Sequence, residues 1–121
     1  MGERTEQTDA LLAVKTFGQV KIISLVPRLD ANSAPPVEKE LQELLTGSAP
    51  QLVCDFSRTE YISSAGLRVL LSVLKKVQKS GGRLALSALK PGVREIFDMA
   101  GFTNLYSIYE TEGDAFRSME T

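Results

Sequence analysis

Short apolar runs separated by turn-forming residues predict five β-strands. The first two runs surround Gly18 and Gln19, and two β-prone segments joined by such a pair are typical of a β-hairpin. Pro27 ends the second of these strands, and three further runs follow later in the chain. The predicted strands cover residues 11–17, 20–26, 51–56, 83–87 and 105–109.

Four other segments carry apolar residues at the i, i+3 and i+4 spacing of an amphipathic helix. Prolines or capping residues stand at their starts, and glycines follow three of them. The second segment is the most apolar, with leucines and valines on more than one side. The predicted helices begin at Pro35, Ser64, Pro91 and Thr111, and the first three end near Gly47, Ser80 and Gly101.

The predicted elements follow the order ββαβαβαβα, which indicates an α/β fold. Strands joined through helices pair in parallel by right-handed crossovers, so the sheet should be mostly parallel, and the opening hairpin makes it mixed. A chain of 121 residues has the length of one domain. We expect a single domain over residues 10–121, with about five strands and four helices, after a flexible polar tail over residues 1–9.

Composition argues against several classes of function. Fourteen basic and fifteen acidic residues leave a net charge of −1, which argues against direct binding of nucleic acid. The chain contains no histidine, so it cannot form a Ser-His-Asp triad or a histidine metal site. Cys54 is the single cysteine, and its apolar surroundings predict a buried side chain rather than a reactive thiol. We therefore expect no metal and no cofactor.

The sequence carries no pattern typical of a membrane segment or a secretion signal. Its first ten residues are polar, and no apolar stretch approaches about twenty residues. A single unpaired cysteine fits a reducing compartment. We expect a cytoplasmic protein without membrane insertion, as a monomer or a weak dimer.

The candidate chemistry lies between the third predicted strand and the second helix. Ser63 and Ser64 meet the start of that helix and are followed by Ala65 and Gly66. Small side chains leave the first backbone N–H groups of the helix uncovered, and these groups and the helix dipole favour an anion. A phosphate on Ser64 would therefore be tolerated there and would add about −1.5 to −2 charge. Such a change is typical of a switch in partner binding.

The same two serines have a structural interpretation. Serine is one of the commonest helix N-cap residues, so either Ser63 or Ser64 could simply cap the second helix. On spacing alone the cap is favoured over a phosphorylation site. The residues by themselves leave both interpretations open.

The longer segment DFSRTEYISSAGLRVLL resembles the serine turn of the STAS domain. The strings GGRLAL, PGVREIF and GF follow it in the order of that family, and Asp30 stands after the second strand in an Arg-Leu-Asp segment. The similarity extends over about residues 10–118. Within the family it is strongest to the bacterial anti-sigma factor antagonists.

The resemblance implies a non-catalytic, phosphorylation-switched binding module. Its unphosphorylated form would sequester an anti-sigma factor that is also a serine kinase, and so free a sigma factor. The kinase would use ATP from its own site, and a phosphatase would reset the switch. By motif position the phosphorylated residue is Ser64, with Ser63 as the alternative, while Asp30 would orient the serine or contact the kinase. The implied partner-binding residues are Asp30, Ser63, Ser64, Ala65, Gly66 and Arg68.

The chain departs from the family pattern D-S-S/T-G-L-G at three positions. Ser63 stands at the aspartate, Ala65 at the second Ser or Thr, and Arg68 at the last glycine. The first change removes a negative charge beside the serine and leaves two candidate serines. An alternative function is therefore a STAS scaffold subunit of a transporter or signalling assembly that is never phosphorylated.

Two further classes of function have less support. An enzyme without histidine would need a carboxylate such as Asp30 or Asp55 as its base, and no other reactive residue converges on either. We therefore expect no enzymatic activity. Binding of a small nucleotide or a lipid at the strand ends is the remaining alternative.

Overall fold

The structure is a computed structural model that describes residues 4–6 and 11–120. Within these residues the chain forms eight strands, four α-helices and one short 3-10 helix. They are, in chain order, β1 Arg4–Glu6, β2 Ala13–Phe17, β3 Val20–Ser24, β4 Arg28–Leu29, α1 Ala34–Glu43, β5 Gln51–Asp55, β6 Tyr61–Ile62, α2 Ser64–Lys79, β7 Arg83–Ser87, α3 Pro91–Met99, the 3-10 helix Thr103–Leu105, β8 Ser107–Tyr109 and α4 Glu112–Ser118.

The main sheet has the strand order β1-β2-β3-β5-β7-β8. The strands β1, β2 and β3 are antiparallel neighbours, and β3, β5, β7 and β8 pair in parallel. Gly18 turns the β2–β3 hairpin with a φ of 61°, which glycine adopts without steric cost. The predicted mixed, mostly parallel α/β sheet is therefore confirmed.

Helices cover both faces of the sheet. On one face, α1, α2 and α3 bury apolar side chains such as Leu41, Leu70 and Phe97 against alternate residues of the strands. On the other face, α4 packs Ala115 and Met119 against the intervening strand residues. This alternation follows from the two-residue period of a strand, and it explains why the central strands are apolar throughout.

The sequence analysis missed three short strands. The strands β4 and β6 are two residues each and pair in parallel in a separate small sheet. The strand β1 lies inside the predicted flexible tail and pairs with β2. Residues 1–3 and 7–10, the rest of that tail, lie outside the described residues, so the domain boundary stays a prediction. The last predicted strand is shorter than expected, because residues 103–105 form the 3-10 helix.

Candidate functional site

The small sheet of β4 and β6 brings the two candidate segments together. Leu29 pairs with Ile62, and the Ser63 N–H donates to the Leu29 carbonyl at 2.9 Å. Asp30 and Ser63 are the residues that directly follow this pair. The Asp30 loop and the serine turn therefore leave the small sheet side by side, although more than thirty residues separate them in sequence.

Gly66 allows the close approach between α2 and β4. A Cβ atom at this position would lie 2.6 Å from the Leu29 carbonyl oxygen and 2.8 Å from the Ile62 Cγ1 atom. Real Cβ atoms essentially never show contacts this short. The missing side chain thus determines where α2 begins, and with it the position of Ser63 and Ser64.

Ser63 is the N-cap of α2. Its backbone is extended, with φ −98° and ψ 177°, and its Oγ accepts from the Gly66 N–H at 3.4 Å. Its carbonyl accepts from the Leu67 N–H at 2.9 Å, the first intrahelical bond. The capping interpretation therefore applies to Ser63, whose side chain is half-buried.

Ser64 is the first residue of α2 and is exposed. Its hydroxyl has no hydrogen-bond partner within residues 11–120. The neighbouring Ala65 is half-buried, and Arg68 is exposed one helical turn further along α2. Of the two serines, Ser64 therefore has the accessible and unoccupied hydroxyl, and it lies at the positive end of the helix dipole.

Asp30 uses its carboxylate within its own loop. One oxygen accepts from the N–H groups of Asn32 at 3.0 Å and Ser33 at 3.2 Å, and the other accepts from Arg28 Nε at 3.4 Å. The bond from the Ser33 N–H contributes most to lowering the pKa of Asp30 below its ordinary value of 3.8, although desolvation opposes this. The Asp30 carbonyl accepts from Ala34, the first residue of α1. Asp30 thus shapes the loop beside the serine turn, and its hydrogen bonds go to that loop rather than to Ser63 or Ser64.

Buried polar side chains support the connection before the serine turn. The Asp55 carboxylate accepts from the Ser57 hydroxyl at 2.8 Å and from the Ser87 hydroxyl at 3.0 Å. Thr59 is fully buried, and its hydroxyl donates to the Val26 carbonyl at 2.8 Å. One Asp55 oxygen therefore joins the ends of β5 and β7, and the other holds the start of the connection, which is a structural role.

Sequence reasoning missed one pair at the edge of the site. The Arg28 guanidinium lies 4.7 Å from the centre of the Tyr61 ring, a cation–π contact that joins β4 to β6. Both side chains are exposed beside the serine turn. No signal in the sequence could have found this pair, because two-residue strands carry no periodicity.

Two structural features that would indicate other functions are absent from the described residues. Within residues 4–6 and 11–120, no group of three or more Cys, Asp or Glu side chains is arranged to hold a metal ion. In the same part of the chain, no helix is long and apolar enough to cross a bilayer.

The family model of the STAS domain matches residues 12–115. The chain belongs to the STAS domain family. The match runs from the start of the β2–β3 hairpin into α4, so it includes the small sheet, the Asp30 loop and the serine turn.

Proteins similar to this STAS domain include anti-sigma factor antagonists. A candidate anti-sigma factor antagonist of Bordetella bronchiseptica, BtrV, is 36% identical over 77% of this chain and 80% of its own length. The anti-sigma F factor antagonist of Paenibacillus polymyxa is 26% identical over 84% of this chain and 87% of its own. These relatives place the chain in the anti-sigma factor antagonist family at modest identity.

Solved structures share the fold of this STAS domain. The Bacillus protein SpoIIAA in its phosphorylated form has a TM-score of 0.64 and 17% identity, with 97% of this chain and 98% of that chain covered. In its unphosphorylated form SpoIIAA has a TM-score of 0.70 and 19% identity, with 97% of this chain and 95% of that chain covered.

Anti-sigma factor antagonists are non-enzymatic binding modules, in agreement with the prediction that this chain is not an enzyme.

Proposed function

We propose that this STAS domain sequesters an anti-sigma factor with serine kinase activity in the cytoplasm and so frees a sigma factor. Phosphorylation of Ser64 by that kinase ends the complex, and a phosphatase restores it. The kinase supplies the ATP site. The antagonist names of the relatives support the binding partner, and the geometry of the two serines supports the choice of Ser64.

The observation that carries the proposal is the different placement of the two serines. Ser63 is half-buried and its oxygen is occupied as the cap of α2, so a phosphate there would remove the cap. Ser64 is exposed, and its hydroxyl is free among the described residues. A kinase can reach the Ser64 oxygen without unfolding the turn.

The physical basis of the switch is electrostatic. A phosphate adds about −1.5 to −2 charge and three acceptor oxygens at the N-terminus of α2, where the helix dipole stabilises negative charge. The fold should therefore tolerate the modification, while a partner that packs on the serine turn would meet a bulky anion. The fold neighbour SpoIIAA has been solved in unphosphorylated and phosphorylated forms, which supports a switch of this kind.

The first experiment is the intact mass and peptide map of the protein from its native cells under phosphatase inhibition. A phosphate on Ser64 is expected in some growth conditions. A clean, unmodified mass under all conditions would refute the switch and favour the unphosphorylated scaffold of a transporter or signalling assembly.

Labelling by the purified kinase then separates the two serines. Ser64→Ala should abolish phosphate incorporation, whereas Ser63→Ala, the matched control, should retain it because the acceptor oxygen is intact. Labelling of the Ser64→Ala protein on Ser63 would show that the acceptor is one residue earlier. Ser64→Glu should weaken the complex, and an unchanged affinity would argue against an electrostatic switch.

A further inference from the structure

The charges of this protein are unevenly distributed, and α2 carries the imbalance. This helix has four basic residues and no acidic residue, whereas α1, α3 and α4 each contain both signs. Because the whole chain has a net charge of −1, the +4 of α2 leaves −5 on the remainder. We name the four side chains the basic stripe: Arg68, Lys75, Lys76 and Lys79.

Three residues of the basic stripe share one exposed face of α2 with Ser64, and Lys76 lies beside that face, about 120° from Ser64. At about 100° per residue, Ser64, Arg68, Lys75 and Lys79 fall within about 60° of helix arc. All four are exposed. Along the same face runs a shallow groove of about 570 Å³, lined by Arg68, Leu71, Ser72, Lys75, Lys76 and Lys79.

The positive charges of the basic stripe have no acidic partner among residues 11–120. Six ion pairs lie among residues 11–120, and none includes a residue of the stripe. Other exposed cations do have partners, such as Lys39 with Glu43 on α1 and Arg117 with Asp114 on α4. Lysines in the last turn complement the helix dipole, but that effect reaches only the last turn and does not account for Arg68 in the first half of α2.

We infer that the basic stripe is the docking surface for an acidic segment of the kinase partner, and that a phosphate on Ser64 acts by cancelling the charge of this surface. The inference rests on the proposed function. Arg68 lies four residues after Ser64, the spacing at which an acidic group and a following cation pair on a helix. A phosphate would pair with Arg68 and lower the combined charge of the basic stripe and residue 64 from +4 to about +2.

The surroundings of the stripe favour a protein over other polyanions. A nucleic acid or an anionic membrane has a large surface and would be repelled by the net charge of −5 on the rest of the chain. A narrow acidic segment would contact only the stripe. From Arg68 to Lys79 the stripe extends over about 16 Å along a single helix, which matches a partner element of similar length. Leu71 and the lysine stems give the groove apolar contacts, as required for an amphipathic acidic helix.

The test compares two double variants with the same net charge. Lys75→Gln with Lys79→Gln removes two charges of the stripe, and Lys39→Gln with Arg117→Gln removes two exposed helix charges elsewhere. Glutamine is a good helix former, and thermal melts confirm that each variant is folded. The probe is the purified kinase that labels Ser64, and its affinity and association rate are measured at low and high ionic strength.

The stripe variant should bind the kinase about three- to ten-fold more weakly, mainly through slower association, and the control should stay within about two-fold. Salt should weaken the wild-type complex more than that of the stripe variant, and it should shrink the penalty of Ser64→Glu. Equal affinities of the two double variants for the kinase would overturn the inference. The proposed function would still stand in that case if the kinase labels Ser64.

Two further outcomes are decisive. If the unphosphorylated wild type forms no complex with the kinase, the proposed function fails and this inference fails with it. If the wild type binds duplex DNA or phosphatidylserine vesicles, and the stripe variant alone loses that binding, the stripe binds another polyanion. The inference that its ligand is an acidic protein segment would then be wrong.

Discussion

Replacing Gly66 by alanine tests whether the approach of α2 to β4 positions the serine turn. The added Cβ would lie 2.6 Å from the Leu29 carbonyl oxygen and 2.8 Å from side-chain carbons of Leu29 and Ile62. The backbone oxygen cannot rotate away, because the Ser63 N–H donates to it at 2.9 Å. The helix must therefore shift, which breaks or lengthens that bond.

The expected cost follows from two opposing effects. Overpacking a tight site costs about 1–3 kcal/mol. Alanine in place of glycine inside a helix recovers about 0.5–1 kcal/mol. Gly66→Ala should therefore lower the free energy of unfolding by about 1–2 kcal/mol, which for a domain of this size lowers the melting temperature by about 4–8 °C.

Gly92→Ala is the matched control. Gly92 lies in the first turn of α3, and apart from its chain neighbours and the backbone of its own helix no atom lies within 4 Å of the position of its Cβ. This substitution should be neutral or raise stability by up to about 1 kcal/mol. Urea unfolding of both variants measures the difference, and NMR shifts of the Ser63 and Ser64 amides report movement of the turn.

One result would refute the reasoning. If Gly66→Ala is as stable as wild type, or gains as much as Gly92→Ala, then β4 does not constrain the start of α2. The placement of Ser63 as the cap and Ser64 as the exposed residue would then need another cause.

Three further predictions concern single side chains. Ser63→Ala should lower the free energy of unfolding by about 1 kcal/mol through loss of the cap, whereas Ser64→Ala should change it by less than about 0.5 kcal/mol. Equal losses of stability in urea unfolding would contradict the assignment of Ser63 as the cap. The pKa of Asp30 is lowered in the folded state, so its charge should stabilise the fold above about pH 4 and lose that effect as the pH falls further. The difference in free energy of unfolding between wild type and Asp30→Asn should therefore shrink between about pH 6 and pH 3. Burial, with a smaller contribution from the Asp55 charge, raises the pKa of Cys54 to about 12. A thiol reagent at mildly alkaline pH should therefore modify Cys54 only after unfolding. Rapid reaction of the native protein would show instead that Cys54 in β5 is accessible.

Much of the fold could be predicted from local sequence because burial imposes a period on the chain. The apolar positions of α2 repeat at helical spacing, and that period is set by the face that packs on the sheet. The five predicted strands all exist, since their β-prone runs are bounded by glycine, proline or polar residues. Their parallel pairing follows from the intervening helices.

The small sheet could not be predicted in this way. The strands β4 and β6 have two residues each, too few to show alternation, and Leu29 meets Ile62 only because the rest of the domain brings them together. The same contact explains Gly66, which the sequence analysis assigned only to partner binding and to an uncovered helix end. Its tight packing against the Leu29 carbonyl is visible only once β4 is in place.

The sequence by itself determined the α/β fold, the STAS resemblance and a pair of serines at a helix start, because each depends on residues close together in the chain. Only the tertiary structure separated those serines, with Ser63 half-buried as the cap and Ser64 exposed. It also showed that the Asp30 carboxylate is occupied by its own loop. Exposure and hydrogen-bond partners depend on what packs beside a residue, and at this site the neighbours come from segments about thirty residues apart.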